Sequence, residues 1–328
     1  MSRSGRIRRD HYLDELDIKI FRALISESII APSNTEVMSS LRDIARKLGS
    51  DDMTIRNRYK KLQEAGCMSV WRLGVNPSVV GYKPIDIVLE VQPESAKADM
   101  IRKLRLIHGI IRIVDYYGPT LQVLLLYDRA DSCSRTVELI SRITNAERVT
   151  LFRQSFPLSE TKRLTETDLS IVRALSMDAR KSYVLLSKEL GFSTRTVKNR
   201  IEKLRKEKTL FSIPELKMGD IPGIIPVTLH YSYASSEVKD SVDRSILSHF
   251  DDSYLWGLSD SEQAFLVLSL STMADVQRSR DWAKEQPGVA RAELDIQVNC
   301  TLFPEKIAEI LTGRTPEQLG LAKNLQGS

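Results

Sequence analysis

The sequence predicts an α+β protein built as a tandem: two winged helix-turn-helix domains, each followed by a ferredoxin-like βαββαβ domain. Three observations predict it. A turn and basic helix at Leu190 to Leu204 has a counterpart of the same residue types at Leu48 to Leu62. Each stretch ends a helix–helix–turn–helix pattern and is followed by a short strand, then by strand–helix–strand–strand–helix–strand. An internal period of roughly 140–150 residues carries this order through nearly the whole chain.

The helix that organises the rest starts after Leu190-Gly191, where glycine tolerates the left-handed conformation of a helix C-terminus. Ser193 is a good N-cap. Val197, Ile201 and Leu204 fall at i, i+4 and i+7 and form one buried stripe. Thr194, Arg195, Thr196, Lys198, Asn199, Arg200 and Lys203 lie off that stripe, a front that suits a DNA major groove. In the first copy Ile55, Tyr59 and Leu62 make the stripe. Thr54, Asn57 and Arg58 match Thr196, Asn199 and Arg200, each pair 142 positions apart.

Ahead of the first recognition helix, Leu13 to Leu24 and Leu41 to Leu48 read as helices, and Ser26 to Ser40 holds about nine residues that the second copy lacks. Acidic residues in the first turn suit the helix dipole. Met68 to Val75 reads as a wing strand. Ile85 to Val91, Ile111 to Tyr116, Leu121 to Tyr127 and Arg148 to Phe156 read as strands, with helices at Ala96 to Ile107 and Ser132 to Thr144. The second copy runs through helices at Leu164 to Leu175 and Tyr183 to Leu190, a wing at Leu210 to Leu216, and strands and helices from Val227 to an extended segment at Val289 to Phe303. The expected boundaries are a basic arm at 1–12, the first winged helix-turn-helix at 13–80, a βαββαβ domain at 81–157, the second winged domain at 163–218, its βαββαβ domain at 219–303, and a tail at 304–328.

The 328 residues are 42% hydrophobic and 28% charged, a globular composition long enough for about two to four small domains. The formal charge of +5 permits nucleic-acid binding without requiring it. Local charge is more telling: residues 194–208 carry seven Lys and Arg against two Glu, and 54–64 carry four against one. Cys67, Cys133 and Cys300 form neither a disulfide framework nor a zinc spacing, which fits a reducing, cytoplasmic interior. The start of the chain is basic without an apolar core, unlike a signal peptide, and no apolar run approaches a membrane span.

Leu-Asp-x-x-Asp-x-x-Ile at the start of the first copy's first helix (Leu13 to Ile20; the second copy has Thr165 at the first Asp position), Leu-Gly-x-Ser-x-x-Thr-Val-x-x-Arg-Ile-x-x-Leu in the recognition stretch, and Asn76-Pro77-Ser78-Val79-Val80-Gly81-Tyr82 resemble the Lrp/AsnC ("feast/famine") transcription regulators over residues 13–157 and again over about 163–303. The resemblance implies a βαββαβ (RAM-type) effector and assembly domain, duplex DNA as partner, a dimer or pseudo-dimer, and a small-molecule effector. This chain departs from the family in three ways. It fuses two units. The family's effector turn between the middle strands is replaced by Tyr117-Gly118-Pro119-Thr120 and Trp256-Gly257-Leu258-Ser259-Asp260, so Tyr117, Gly118, Trp256 and Gly257 are the effector candidates, with the acidic position missing or displaced. And Asp51-Asp52 opens the first recognition helix, with Asp52 as the expected N-cap, so that helix should hold phosphates less tightly than the second.

For DNA contact the candidates are Thr54, Arg56, Asn57, Arg58, Lys60 and Lys61 in the first copy and Ser193, Thr194, Arg195, Thr196, Lys198, Asn199, Arg200 and Lys203 in the second, with Arg58 and Arg200 reaching phosphate or pairing with the body of the domain. Tyr116, Tyr117, Trp71 and Trp256 are expected in packing before pocket lining. Some Lrp-like proteins are siroheme decarboxylases, with His and Arg or Tyr residues near the βαββαβ cavity, so a tetrapyrrole-handling enzyme is one alternative; an interaction scaffold is another. His11, His108, His230 and His249 are scattered and stand beside no acid or nucleophile at a suggestive spacing, and no phosphate loop, metal spacing or catalytic triad occurs. No catalytic residue, metal or cofactor is expected.

Overall fold

The computed structural model describes residues 14–26, 41–64, 68–153, 164–176, 178–179, 181–216 and 223–312. The expected basic arm, the extra segment after the first helix, residues 217–222 around the start of the second βαββαβ domain, and the end of the tail lie outside them. The first half runs α1 (Glu15–Ser26), α2 (Leu41–Lys47), α3 (Asp52–Glu64), β1 (Met68–Val75), β2 (Lys83–Val91), α4 (Lys97–Leu104), β3 (Ile110–Tyr116), β4 (Thr120–Tyr127), α5 (Ala130–Thr144) and β5 (Ala146–Arg153). The second runs α6 (Glu166–Leu175), α7 (Tyr183–Leu190), α8 (Thr194–Lys206), β6 (Leu210–Leu216), β7 (Ile225–Tyr233), α9 (Lys239–His249), β8 (Tyr254–Ser259), β9 (Gln263–Leu270), α10 (Met273–Lys284) and β10 (Val289–Leu302), and ends in α11 (Pro304–Thr312).

Each half therefore holds three helices, one strand and a βαββαβ unit. The expected stripes are the ones that bury: Ile55, Tyr59 and Leu62 on α3, Val197, Ile201 and Leu204 on α8. They pack on Ile20, Phe21 and Leu24 of α1 and on Ile171, Val172 and Leu175 of α6, within one continuous buried cluster. Separate apolar cores lie between sheet and helices in each βαββαβ unit, around Ile87, Leu104 and Ile140 in the first and Leu229, Ile246 and Ala283 in the second.

The two wing strands do not form wings on their own halves. β1 pairs antiparallel with β6, Trp71 opposite Pro214 and Val75 opposite Leu210. Each strand finds its backbone partner in the other half, because one isolated strand leaves a row of unpaired amides and carbonyls. Asn76 strengthens the crossing: its amide donates to the Thr209 carbonyl at 2.8 Å and its Nδ2 to that of Lys208 at 3.0 Å.

The βαββαβ units also join. One eight-stranded sheet has the order β5-β2-β4-β3-β10-β7-β9-β8, with β10 at the junction. Residues 289–296 of β10 pair with β7; 297–302 pair with β3, after a register shift between Gln297 and Asn299. The face turned away from the helices in one half meets that of the other: Phe152 stands edge-on to Phe265 at 5.7 Å, and Gln263 Nε2 donates to the Leu151 carbonyl at 2.7 Å. The fused second half thus covers the sheet face of the first. The seam holds a buried polar chain. Arg112 donates to Asp86 at 2.6 Å, Gln122 to the same carboxylate at 3.0 Å, Tyr116 to Gln122 at 2.5 Å, and Gln297 to Thr228 at 2.8 Å, with Tyr116 and Thr228 hydroxyls 3.1 Å apart.

Candidate nucleic-acid interface

Helix α8 is positioned by its neighbours on both sides. Ser182 caps α7, and Gly191 ends it at φ 71°, the left-handed conformation expected there. Two residues later the Ser193 hydroxyl accepts from the Thr196 amide at 3.1 Å and starts α8. The turn thereby aims the first turn of α8 outward. Thr194, Arg195, Thr196, Lys198, Asn199 and Lys203 are exposed. Arg195 makes no ion pair among the described residues. Lys198 lies 3.8 Å from Glu202 and Lys203 lies 3.7 Å from Glu207, too far for hydrogen bonds, so these cations stay available to an anion. Arg200 turns back toward Asp168 of α6 at 3.5 Å.

Helix α3 has the same frame and a different charge arrangement. Asp51, not Asp52, is its cap: its carboxylate accepts from the Thr54 amide at 2.8 Å and also from the Thr54 hydroxyl. That hydroxyl bond holds the Asp51 carboxyl below the usual carboxylate range. Asp52 instead accepts from Arg56 Nε at 2.8 Å. Lys61 donates to Asp17 at 2.6 Å, Arg58 bonds both Asp14 and Asp17, and Lys60 stands 3.7 Å from Glu64. Asn57 and Arg56 remain exposed. Asp17, fully buried, was legible in the sequence only as a helix-dipole residue; it anchors the recognition helix to α1.

The four effector candidates are not assembled into one pocket. Tyr117 is 77% exposed, contrary to the packing role expected for it, and its amide donates to the Ile296 carbonyl at 2.8 Å. Gly118 turns at φ 85° and its carbonyl accepts from Lys97. Trp256 is packed inside the seam, edge-on to Phe265 at 5.2 Å and beneath the Arg112 guanidinium at 5.3 Å. Gly257 passes so close to β9 that a Cβ there would lie 2.6 Å from the Phe265 carbonyl oxygen.

A cavity of about 420 Å³ opens at the seam instead, lined from the first half by Glu90, Thr120 and Arg148 and from the second by His230, Arg291 and Asp295, among others. Here a histidine does stand near an acid: His230 Nε2 is 3.9 Å from Asp295. The two are 65 positions apart, so no sequence spacing could pair them; β10 running beside β7 does. Among the described residues neither His230 nitrogen has a hydrogen-bond partner, and burial pushes the imidazole down to about 4. Burial likewise pushes Asp295 up to about 6, against a hydrogen bond from Thr120.

Residues 164–205 match the model of the AsnC-type helix-turn-helix domain. The chain is 30% identical over 107 residues to the HTH-type transcriptional regulator Ptr1 of Methanocaldococcus jannaschii, across 32% of this chain and 66% of that protein. It is 33% identical over 92 residues to an uncharacterised HTH-type transcriptional regulator of Pyrococcus abyssi, across 28% and 56%. The chain belongs to the Lrp/AsnC family. The matches span about two thirds or less of those curated relatives. The fold resembles that of the solved siroheme decarboxylase NirDL end to end, with a TM-score of 0.56 at 13% identity, over 95% of this chain and 100% of that one. At that identity the likeness speaks to the fold alone. It shows that the doubled architecture is one a protein adopts.

Proposed function

We propose that this protein is a sequence-specific DNA-binding transcription regulator, meeting duplex DNA with the solvent faces of α8 and α3 held on one chain. The observation that carries the reading is α8: a helix with a fully apolar back, an outward first turn and Arg195, Thr196, Lys198 and Asn199 exposed on its front. Arg and Lys contribute phosphate contacts and, with Asn199, the hydrogen-bond patterns that read guanine and adenine edges. A small-molecule effector, as in the resemblance, would sit at the seam, where both halves line the cavity. A cytoplasmic setting goes with such work; Cys133 and Cys300 are not in a disulfide, and among the described residues no helix is long and apolar enough to cross a membrane.

The test is a titration of genomic duplex fragments at several salt concentrations. Arg195→Ala with Lys198→Ala should weaken binding and flatten the slope of log K against log salt by up to about 2, one contact each at about 0.9 per phosphate. Unchanged affinity and slope would refute the reading.

The seam cavity supports a second reading, a tetrapyrrole-handling enzyme like NirDL: His230, whose nitrogens have no hydrogen-bond partner among the described residues, beside Arg148, Arg291 and Asp295 is the kind of setting an acidic macrocycle could use. Titrating the purified chain with an iron porphyrin and following the Soret band decides it. A His230→Phe-sensitive shift would favour the enzyme; none would leave the regulator.

A further inference from the structure

We infer that the two recognition helices are unequal by construction, and that the chain reads a directional, non-palindromic site anchored by α8. The inference rests on the DNA-binding reading above and goes past it to the form of the target. Four differences at matched positions carry it. Asp51 and Asp52 stand where α8 has Ser193 and Thr194. A helix N-terminus attracts phosphate through its free amides and dipole; two carboxylates there oppose it, and two hydroxyls do not. Met53, 65% exposed, stands where α8 has Arg195, so the residue best placed to meet a base edge offers only an apolar contact of the thymine-methyl kind. The Thr54 hydroxyl is tied to Asp51, and its counterpart Thr196 faces a neutral serine. Finally, three of the four cations on α3 are hydrogen-bonded to carboxylates of the protein, Arg56 to Asp52, Arg58 to Asp14 and Asp17, and Lys61 to Asp17, whereas the α8 pairs stand at 3.5 Å or more without hydrogen bonds. To reach phosphate, Arg56, Arg58 and Lys61 would first have to break hydrogen bonds of a kind that Lys198, Arg200 and Lys203 do not make to their neighbouring carboxylates.

A symmetric homodimer presents two identical heads and so selects an inverted repeat. Here the heads differ, lie on one chain and are held together by the β1–β6 and β3–β10 pairings, so the better head must always be the same one. One half-site is then read closely, the other is relaxed, and the protein lies on DNA in one orientation.

In vitro selection of the full chain against a random duplex pool tests this, followed by titration of the selected duplex. The expected motif has one sharply constrained half and one degenerate half. Arg195→Ala with Lys198→Ala should lose about tenfold to a hundredfold in affinity, while Asn57→Ala loses no more than about threefold. Asp51→Ser with Asp52→Thr, which keeps a hydroxyl cap, and separately Met53→Arg, should each sharpen the degenerate half. Two equally constrained inverted halves, or equal losses from the α3 and α8 variants, would overturn the inference while leaving DNA binding intact. Failure to enrich any duplex would sink the DNA-binding reading itself.

Discussion

His230 and Asp295 make opposite demands on pH from one cavity. The imidazole lies among the rings of Tyr116, Phe152 and Phe265 at 5.8 to 6.2 Å and is held neutral, down to about 4. An unfolded chain takes up that proton near the ordinary histidine value, so as pH falls from about 6.5 toward 4 the unfolded state binds protons the folded one does not, and stability drops. Asp295, up to about 6, does the reverse: the folded state takes the proton first, and acid between about 6 and 4 stabilises it. The two nearly cancel in the native protein. His230→Phe leaves only the aspartate, so on acidification from pH 7 to 4 it should gain up to about 3 kcal/mol relative to the wild type, read from urea melts at each pH. Parallel pH profiles would contradict the assignment. Deeper in the seam, Asp86 is fully buried; desolvation raises its carboxyl and the Arg112 charge pulls it back. Arg112→Met alone should cost about 3–5 kcal/mol, because it strands a buried carboxylate, whereas Arg112→Met with Asp86→Leu should recover most of that loss. Additive losses in the double variant would mean the pair is not coupled.

Helices were the legible elements, since their buried stripes, caps and Gly191 turn depend on residues within a turn or two of each other. That Arg58 and Arg200 pair with the body of the domain was one of the two alternatives read from the sequence; their partners were not legible, because Arg58 meets Asp17 across 41 positions and Arg200 meets Asp168 across 32. Strands were legible as strands, from β-branched content, but not by partner. The spacing of β1 and β6 says nothing about mutual pairing, and a local wing was the nearest available answer. The same blindness misassigned Gly257. Read from family pattern it is an effector-turn residue; in the sheet it is the point where β8 has no room for a side chain beside the Phe265 carbonyl. Gly257→Ala should therefore act on the fold, costing about 1–3 kcal/mol through displaced pairing of β8 on β9. A thermal melt lowered by several degrees, with the DNA affinity of the folded fraction unchanged, is the expected result. An unshifted melt with altered DNA binding would return Gly257 to a ligand role.

At the scale of the whole molecule, the doubling was visible in the repeat, while the manner of joining was written in no local stretch. Two junctions do it, the β1–β6 ribbon and the β3–β10 pairing, and both use strands of one half to finish the hydrogen bonding of the other. A half on its own would expose β1 unpaired, the β3 edge, and the seam face with its Asp86–Arg112 pair, all of which water or another chain would have to satisfy. In the fused chain that partner is always present at a fixed effective concentration, so assembly of the two-headed body costs no association entropy from dilution. Mass action then makes a definite demand. A protein whose native state is a dimer melts at a temperature that falls on dilution, and its DNA isotherm steepens as monomers pair. This chain should show a thermal midpoint unchanged across a hundredfold dilution and a complex of one chain per site by sedimentation velocity. A midpoint that drifts with concentration, or two chains on the minimal site, would show that the fusion in cis does not complete the working unit.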